Sequence, residues 1–205
     1  GGHPILSNPT ILNGLVGYAP QKMSLHETLT VRQVVWFAAK LRLPTDTSSA
    51  EIENYVDTAL KSMAIESLAD QRVSSISGGE LKRVELASEL VVDPSILLVD
   101  EATSSLDPAS EARVMDVLAN TAKQGKLVLC ITHHLDNIYK ADTIIILADG
   151  KVVYHGPPGG ACAHFGVEHL ADAFVRLEDE GAEKWALLDL QSPVETVLAV
   201  RELPP

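Results

Sequence analysis

The stretch Ile-Leu-Leu-Val-Asp-Glu at residues 96–101 decides the fold class, because a short apolar run ends there in two adjacent carboxylates. Four apolar residues in succession are typical of a strand that is covered on both faces. Similar runs recur at residues 127–131 and 144–147, and apolar residues with helical spacing lie between the first two runs. Strands that alternate with helices predict a parallel, doubly covered sheet, which is an α/β fold.

Asp100 and Glu101 directly follow the first apolar run. Open parallel sheets bind ligands at the carboxyl edge of their strands. An acid at this edge can hold Mg²⁺, and its neighbour can orient a water molecule for attack on a terminal phosphate. An acid pair can equally cap the next turn or remain solvated. This motif alone therefore leaves both interpretations open.

A second motif, Ser-Gly-Gly-Glu at residues 77–80, precedes a predicted helix. Gly78 and Gly79 leave the backbone amides at the helix start unobstructed, so a phosphate could approach them and the positive end of the helix dipole. Ser77 and Glu80 also match an S-x-x-E capping box, which would explain both residues without any ligand. A capping box does not require the two glycines, and this favours the anion site.

Residues 28–72 are predicted to form a helical insert. Apolar residues recur every three or four positions across residues 31–41, and a second amphipathic helix follows a cap at Ser48-Ser49. Further along the chain, Asp149-Gly150 separates two apolar strands and predicts a two-residue hairpin.

Composition excludes several classes of protein. The formal net charge of -12 argues against a nucleic-acid partner, which requires clustered Lys and Arg. No apolar run approaches the roughly 18 to 20 residues that cross a bilayer, and no signal peptide is visible, so the chain itself is expected to be soluble. Its two cysteines lack metal-ligand spacing, which fits a reducing cytoplasm.

Five motifs occur in the order and spacing that characterise one protein family. They are Tyr-Ala-Pro-Gln at 18–21, Ser-Gly-Gly-Glu-Leu-Lys-Arg-Val at 77–84, Leu-Leu-Val-Asp-Glu at 97–101, Ser-Ser-Leu-Asp at 104–107 and Thr-His at 132–133. Together they resemble the ATP-binding cassette (ABC) proteins. The resemblance implies a RecA-like P-loop NTPase core with a helical subdomain insert, an ATPase activity, and ATP and Mg²⁺ as cofactors.

The same resemblance implies roles for the residues at the carboxyl edge. Gln21 would help to bind Mg²⁺ and sense the membrane partner. Asp100 would hold Mg²⁺, and Glu101 would polarise the attacking water. His133 would contact the terminal phosphate, whereas the adjacent His134 is expected to be incidental. The other histidines lack paired spacing with carboxylates, so magnesium is the only metal expected.

A second set of roles concerns a dimer of ATPase domains. By the resemblance, Ser77, Gly78, Gly79 and Glu80 would grip an ATP molecule that the opposite subunit holds. Asp107 would lie across the seam between the two subunits. The second ATPase domain is therefore an expected partner.

Within the family, the chain resembles the G-type exporters of the white and pleiotropic-drug-resistance kind. Three features carry this resemblance: Glu80 in place of the common Gln, the run Lys82-Arg83-Val84, and Val-Val-Tyr-His-Gly-Pro-Pro at 152–158. In those proteins the ATPase precedes its membrane domain. The resemblance therefore implies an exporter's transmembrane domain in the same parent chain and a location at the cytoplasmic face of the membrane.

The expected organisation has four parts. Residues 1–27 would be a remnant of the core with the Q-loop, and residues 28–72 the helical subdomain. Residues 73–166 would form the rest of the RecA-like core, with the signature, Walker B, D-loop and H-loop motifs. Residues 167–205 would be a linker towards the membrane domain.

The chain departs from the family in one respect: no G-x-x-x-x-G-K-[ST] phosphate-binding loop occurs in it. Only 20 residues precede Gln21, so we expect a truncated sequence whose isolated form is inactive. A catalytically silent binding module is an alternative, although Glu101 and His133 are retained. A non-transport relative in DNA repair or translation is disfavoured by the acidic charge and by the lack of a coiled-coil insertion.

Overall fold

The structure is a computed structural model that describes residues 14–22, 24–101, 103 and 106–189. The strands are β1 (Val16–Ala19), β2 (Ile96–Asp100), β3 (Leu127–Ile131), β4 (Ile144–Ala148), β5 (Lys151–Gly156) and β6 (Leu188–Asp189). The helices are α1 (Val31–Arg42), α2 (Ser49–Ser62), α3 (Gly78–Leu90), α4 (Pro108–Lys123), α5 (Pro158–Phe165) and α6 (Leu170–Glu180). Two compact units result, Gly1–His134 and Leu135–Pro205. The four-part organisation stays a prediction.

The first unit contains a parallel sheet in the order β1-β2-β3. Strand β2 is central, and its Leu97 and Val99 are buried in an apolar core that helices α1 to α4 complete. Gly17 lies opposite Leu97 in the register, and a Cβ atom there would come within 3.1 Å of the Leu97 side chain. The predicted α/β class with a parallel sheet is confirmed.

The opposite face of this sheet differs from the prediction. Leu127, Leu129 and Ile131 alternate along β3 with core residues and are more than half exposed. Successive side chains of a strand point to opposite faces, and the described helices join the core against Val128 and Cys130. The expectation of cover on both faces is therefore wrong for β3 within the part of the chain that the structure describes.

Both helices of the predicted insert are confirmed. Thr30 caps α1 and Ser48 caps α2, each through a complete capping box. The two ends of the insert meet, because the Val31 N–H donates to the Gln71 carbonyl at 2.9 Å and an antiparallel bridge joins Thr30 to Arg72.

The second unit contains an antiparallel sheet in the order β4-β5-β6. Asp149 and Gly150 have φ angles of 48° and 73°, so the predicted two-residue hairpin is confirmed. The apolar run at 144–147 therefore belongs to this sheet and not to the parallel one, because a two-residue loop can join only antiparallel neighbours. Ile145 and Leu147 are exposed, so the expected double cover is wrong here too.

Two expectations concerned the membrane: the absence of a membrane-spanning segment and a linker at residues 167–205. Among the described residues, no helix has the length and apolar character to cross a bilayer. Residues 190–205 of the expected linker lie outside the described residues.

Candidate nucleotide site

The candidate site lies at the carboxyl edge of the parallel sheet, where β2 ends at Asp100. Glu101 follows with a φ angle of 47°, a left-handed conformation that is uncommon for a residue with a side chain. Its N–H donates to the Ile131 carbonyl at 2.9 Å, which ties the turn after β2 to the end of β3. Such backbone conformations persist where the surroundings enforce them, and they cluster at active sites.

Three of the predicted site residues come together at the Glu101 carboxylate. The Gln21 side-chain amide donates from Nε2 to Glu101 Oε2 at 2.7 Å. On the other side, His133 Nδ1 lies 3.7 Å from Glu101 Oε1. Both carboxylate oxygens therefore have a polar neighbour, one from the segment after β1 and one from the segment after β3.

The start of α3 forms the capping box that the sequence left as an alternative. Ser77 Oγ accepts from the Glu80 N–H at 3.3 Å, and the Glu80 carboxylate accepts from the Ser77 N–H at 2.8 Å. The carboxylate also accepts from the Ser77 hydroxyl at 2.8 Å. The bond from the Ser77 N–H, and after it the bond from the hydroxyl, hold the pKa of the Glu80 carboxyl below its usual value. A Cβ atom added at Gly78 would meet nothing within 4 Å, whereas one at Gly79 would make an ordinary contact with Leu106. The capping box thus explains Ser77 and Glu80 but not Gly78.

Asp107 is the N-cap residue of α4. Its carboxylate accepts from the N–H groups of Ala109 and Ser110, each at 3.0 Å. Hydrogen bonding from Ser110 is the main reason why the pKa of Asp107 is lowered. Ser104 and Ser105 of the same motif lie outside the described residues.

Lys82 and His134 lie next to the site, although the sequence analysis assigned neither of them to it. Lys82 of α3 donates from Nζ to the Gln21 carbonyl at 2.7 Å. His134 stacks near His133, with ring centroids 4.5 Å apart, and its Nδ1 lies 4.0 Å from the buried carboxylate of Glu111. The sequence could have indicated that Glu111 is buried. It lies at helical spacing from Val114 and Leu118, and so on the apolar face of α4.

A parallel sheet whose central strand ends in an Asp-Glu pair places that pair at the edge where open α/β sheets bind their ligands. The family model described as ABC transporter matches residues 2–104. The chain belongs to this family, whose ATPase domain binds nucleotide, and the resemblance that the motifs carried is confirmed.

Curated relatives agree with this assignment. The chain is 36% identical over 180 residues to the ABC transporter ATP-binding/permease protein Rv1747 of Mycobacterium tuberculosis, covering 87% of the chain and 21% of the relative. It is 38% identical over 156 residues to the broad substrate specificity ATP-binding cassette transporter ABCG2 of Mus musculus, covering 73% and 24%. ABC transporter G family member 1 of Dictyostelium discoideum is 35% identical over 168 residues, covering 78% and 21%. The resemblance to G-type proteins is confirmed, and the chain spans less than a quarter of these relatives' length.

Proposed function

We propose that this chain is part of the ATPase domain of a G-type exporter. ATP binding would close a head-to-tail pair of such domains, and hydrolysis would reopen it. The observation that carries the proposal is the convergence of Gln21 and His133 on Glu101 at the carboxyl edge of the sheet. Three motifs distant in sequence meet there at one carboxylate, which is the arrangement that a general base for phosphate hydrolysis needs.

In this mechanism Glu101 accepts a proton from the water that attacks the terminal phosphate. The Gln21 amide orients the carboxylate through its bond to Oε2. His133 is close enough to Glu101 to be held by it and exposed enough to reach a phosphate oxygen. The in-line displacement releases phosphate and leaves ADP on the protein.

Magnesium fits the residues of this edge. Mg²⁺ prefers oxygen ligands, keeps several waters and is usually held by one or two carboxylates together with substrate phosphates. Asp100 and the side-chain oxygen of Gln21 would supply the protein ligands. Within the described residues no group of three His, Cys, Asp or Glu residues could hold a metal by itself, which agrees with a metal that arrives with the nucleotide. The ion would neutralise charge on the transferred phosphoryl group.

The expected partners follow from two observations. The open space at Gly78 leaves the α3 amides approachable by the nucleotide of a second ATPase domain. The three relatives are several times longer than this chain and all are named transporters, which supports an exporter's transmembrane domain in the same parent protein. The ATPase domain would then lie at the cytoplasmic face of the membrane.

The base is tested by Glu101→Gln in a longer protein that carries this chain and an upstream phosphate-binding loop. The amide keeps the shape of the side chain but cannot accept a proton. Hydrolysis is expected to fall by about 10²- to 10⁴-fold while ATP binding is retained. The exposed Glu66→Gln is the matched control. A Glu101→Gln variant that hydrolyses ATP at the wild-type rate would contradict the proposal.

The dimer is tested by Ser77→Arg in the same protein, with ATP and magnesium in a Glu101→Gln background. A bulky cation at the start of α3 would occupy the space that the partner's phosphate must enter, so the ATP-bound dimer should not accumulate in size-exclusion chromatography. Ser48→Arg removes an equivalent capping residue from α2 and is the control for lost helix stability. If Ser77→Arg dimerises as well as Ser48→Arg, residues 77–80 are only a helix cap.

A further inference from the structure

Lys82 and Glu85 form a buried ion pair on α3 that the roles assigned so far do not use. Only 9% of Lys82 and 3% of Glu85 are exposed, and Lys82 Nζ lies 2.8 Å from Glu85 Oε2. Burial raises the pKa of the Glu85 carboxyl, so the chain bears a cost for keeping this acid inside. Charged side chains of these types are almost never fully buried unless they are paired, and a buried pair often adds no stability over apolar residues of similar volume.

The ion pair also contacts Gln21, a residue of the candidate site. Lys82 Nζ also donates to the backbone carbonyl of Gln21, 61 positions away in sequence, at 2.7 Å. Gln21 lies outside any helix or strand, and its own side chain donates to Glu101. Continuous contacts therefore run from Glu85 through Lys82 and Gln21 to the carboxylate of Glu101.

We propose that Lys82 is a positioning residue: held by Glu85, it anchors the Gln21 backbone and thereby places the Gln21 amide against Glu101. This inference rests on the proposed ATPase function for its catalytic consequence. This role requires no contact between Lys82 and the nucleotide or the attacking water. Lys82 acts through Gln21, as residues behind a metal ligand or catalytic group orient that group.

The alternative role for the pair is packing alone, and a double substitution separates the two. Lys82→Met by itself leaves Glu85 buried without its partner and should destabilise the protein. Lys82→Met/Glu85→Met removes both charges, refills the space with apolar atoms and should restore the melting temperature. It does not restore a donor to the Gln21 carbonyl. Lys126→Met, which removes an ion pair with Asp93 elsewhere in the same unit, is the control.

The experiment uses the longer protein with its phosphate-binding loop and two measurements. In the double variant, kcat is expected to fall about tenfold or more with KM for ATP within about twofold, the size of effect typical of such supporting residues. Hydrogen–deuterium exchange of a peptide that spans residues 16–22 is expected to be several-fold faster, and both values should be unchanged in Lys126→Met. A double variant with wild-type kcat and wild-type exchange would overturn the proposal, because the pair would then serve packing only.

The second measurement keeps this inference separate from the proposed function. If the wild-type protein fails to hydrolyse ATP, the proposed function fails, but exchange in residues 16–22 still reports whether Lys82 anchors Gln21. Faster exchange in the double variant would then uphold the anchor, and unchanged exchange would overturn it.

Discussion

The α1–α2 insert and the carboxyl edge of the parallel sheet use similar polar residues, but the chain itself accounts for those of the insert far more fully. In the insert, Thr30 and Ser48 cap helices, and Arg32 pairs with Glu53 at 2.9 Å and with Asp57 at 2.7 Å. Each of these side chains has a reason that lies within the fold.

At the carboxyl edge, the fold does not explain two features. Glu101 has a left-handed backbone at the end of a strand, whereas the left-handed Ala64 of the insert follows the end of α2, where this conformation closes a helix. Gly78 stands where a larger residue would meet nothing within 4 Å. Neither feature helps the chain to fold, since a left-handed side-chain-bearing residue and a glycine at a helix position both cost stability. The difference indicates which residues are present for a ligand and which are present for the structure.

The largest expected effect concerns the carboxyl edge alone. The 205-residue chain should hydrolyse ATP no faster than its own Glu101→Gln variant, because it contains no G-x-x-x-x-G-K-[ST] loop to hold the phosphates. Magnesium-dependent phosphate release from the purified chain measures this. Release that Glu101→Gln abolishes would show that the edge works without such a loop.

The insert should respond to substitutions through stability. Leu60 of α2 is buried with 1% exposure, so Leu60→Ala is expected to lower the free energy of unfolding by about 2 to 5 kcal/mol. Leu41 of α1 is 83% exposed, and Leu41→Ala should change it by less than about 0.5 kcal/mol. Urea unfolding of the two variants checks both values. Equal effects would mean that the insert does not have the core described.

The helices of the first unit could be predicted because their signals are local. Capping residues precede α1, α2 and α3, and apolar residues with helical spacing form the buried faces of α1 and α2. The hairpin at Asp149-Gly150 is local in the same sense, since two residues determine its turn. Which strands pair, and which faces are covered, depends on residues far apart in sequence. The apolar run at 144–147 therefore suggested the wrong sheet.

The site residues also differ in whether a local signal identifies them. Asp100 ends β2, Glu101 follows it directly and His133 lies two residues beyond β3, so motif position together with the family resemblance identified them as candidates. Lys82 was missed because α3 is buried on most of its circumference: Val84, Glu85, Leu86 and Ala87 are all buried, which removes the apolar stripe against which a buried lysine would stand out. Its contact with Gln21 joins residues 61 positions apart, and no spacing rule reaches that far.

Gly78→Ala is expected to affect dimerisation but not stability, in contrast to the substitutions in the insert. An added methyl group meets no neighbour within 4 Å, so the free energy of unfolding should change by less than about 1 kcal/mol. In the longer protein, the same methyl group would stand where a partner's phosphate must reach the α3 amides. ATP-driven dimerisation of the Glu101→Gln background should therefore weaken. Unimpaired dimerisation would mean that the open space at Gly78 serves no ligand.

The smallest expected effect concerns the capping boxes, where the insert and the edge should behave alike. Hydrogen bonds from Ser77 hold the pKa of Glu80 below its usual 4.5, and those from Ser48 do the same for Glu51. A lowered pKa in the folded state means that the carboxylate's stabilising contribution is present above the unfolded value and is lost as pH falls through the folded one. Gln in place of either Glu can still accept the same hydrogen bonds but does not titrate.

The melting temperature of the wild-type chain should therefore exceed that of Glu80→Gln slightly at pH 6, and this difference should shrink as the pH falls towards 3. Glu51 is exposed and Glu80 is half-buried, so the difference should also shrink at high salt. Glu51→Gln is expected to show the same small pH dependence, because its box has the same geometry. A difference for Glu80→Gln that stays constant with pH, while that of Glu51→Gln changes, would mean that the cap does not lower the pKa of Glu80 in the folded chain.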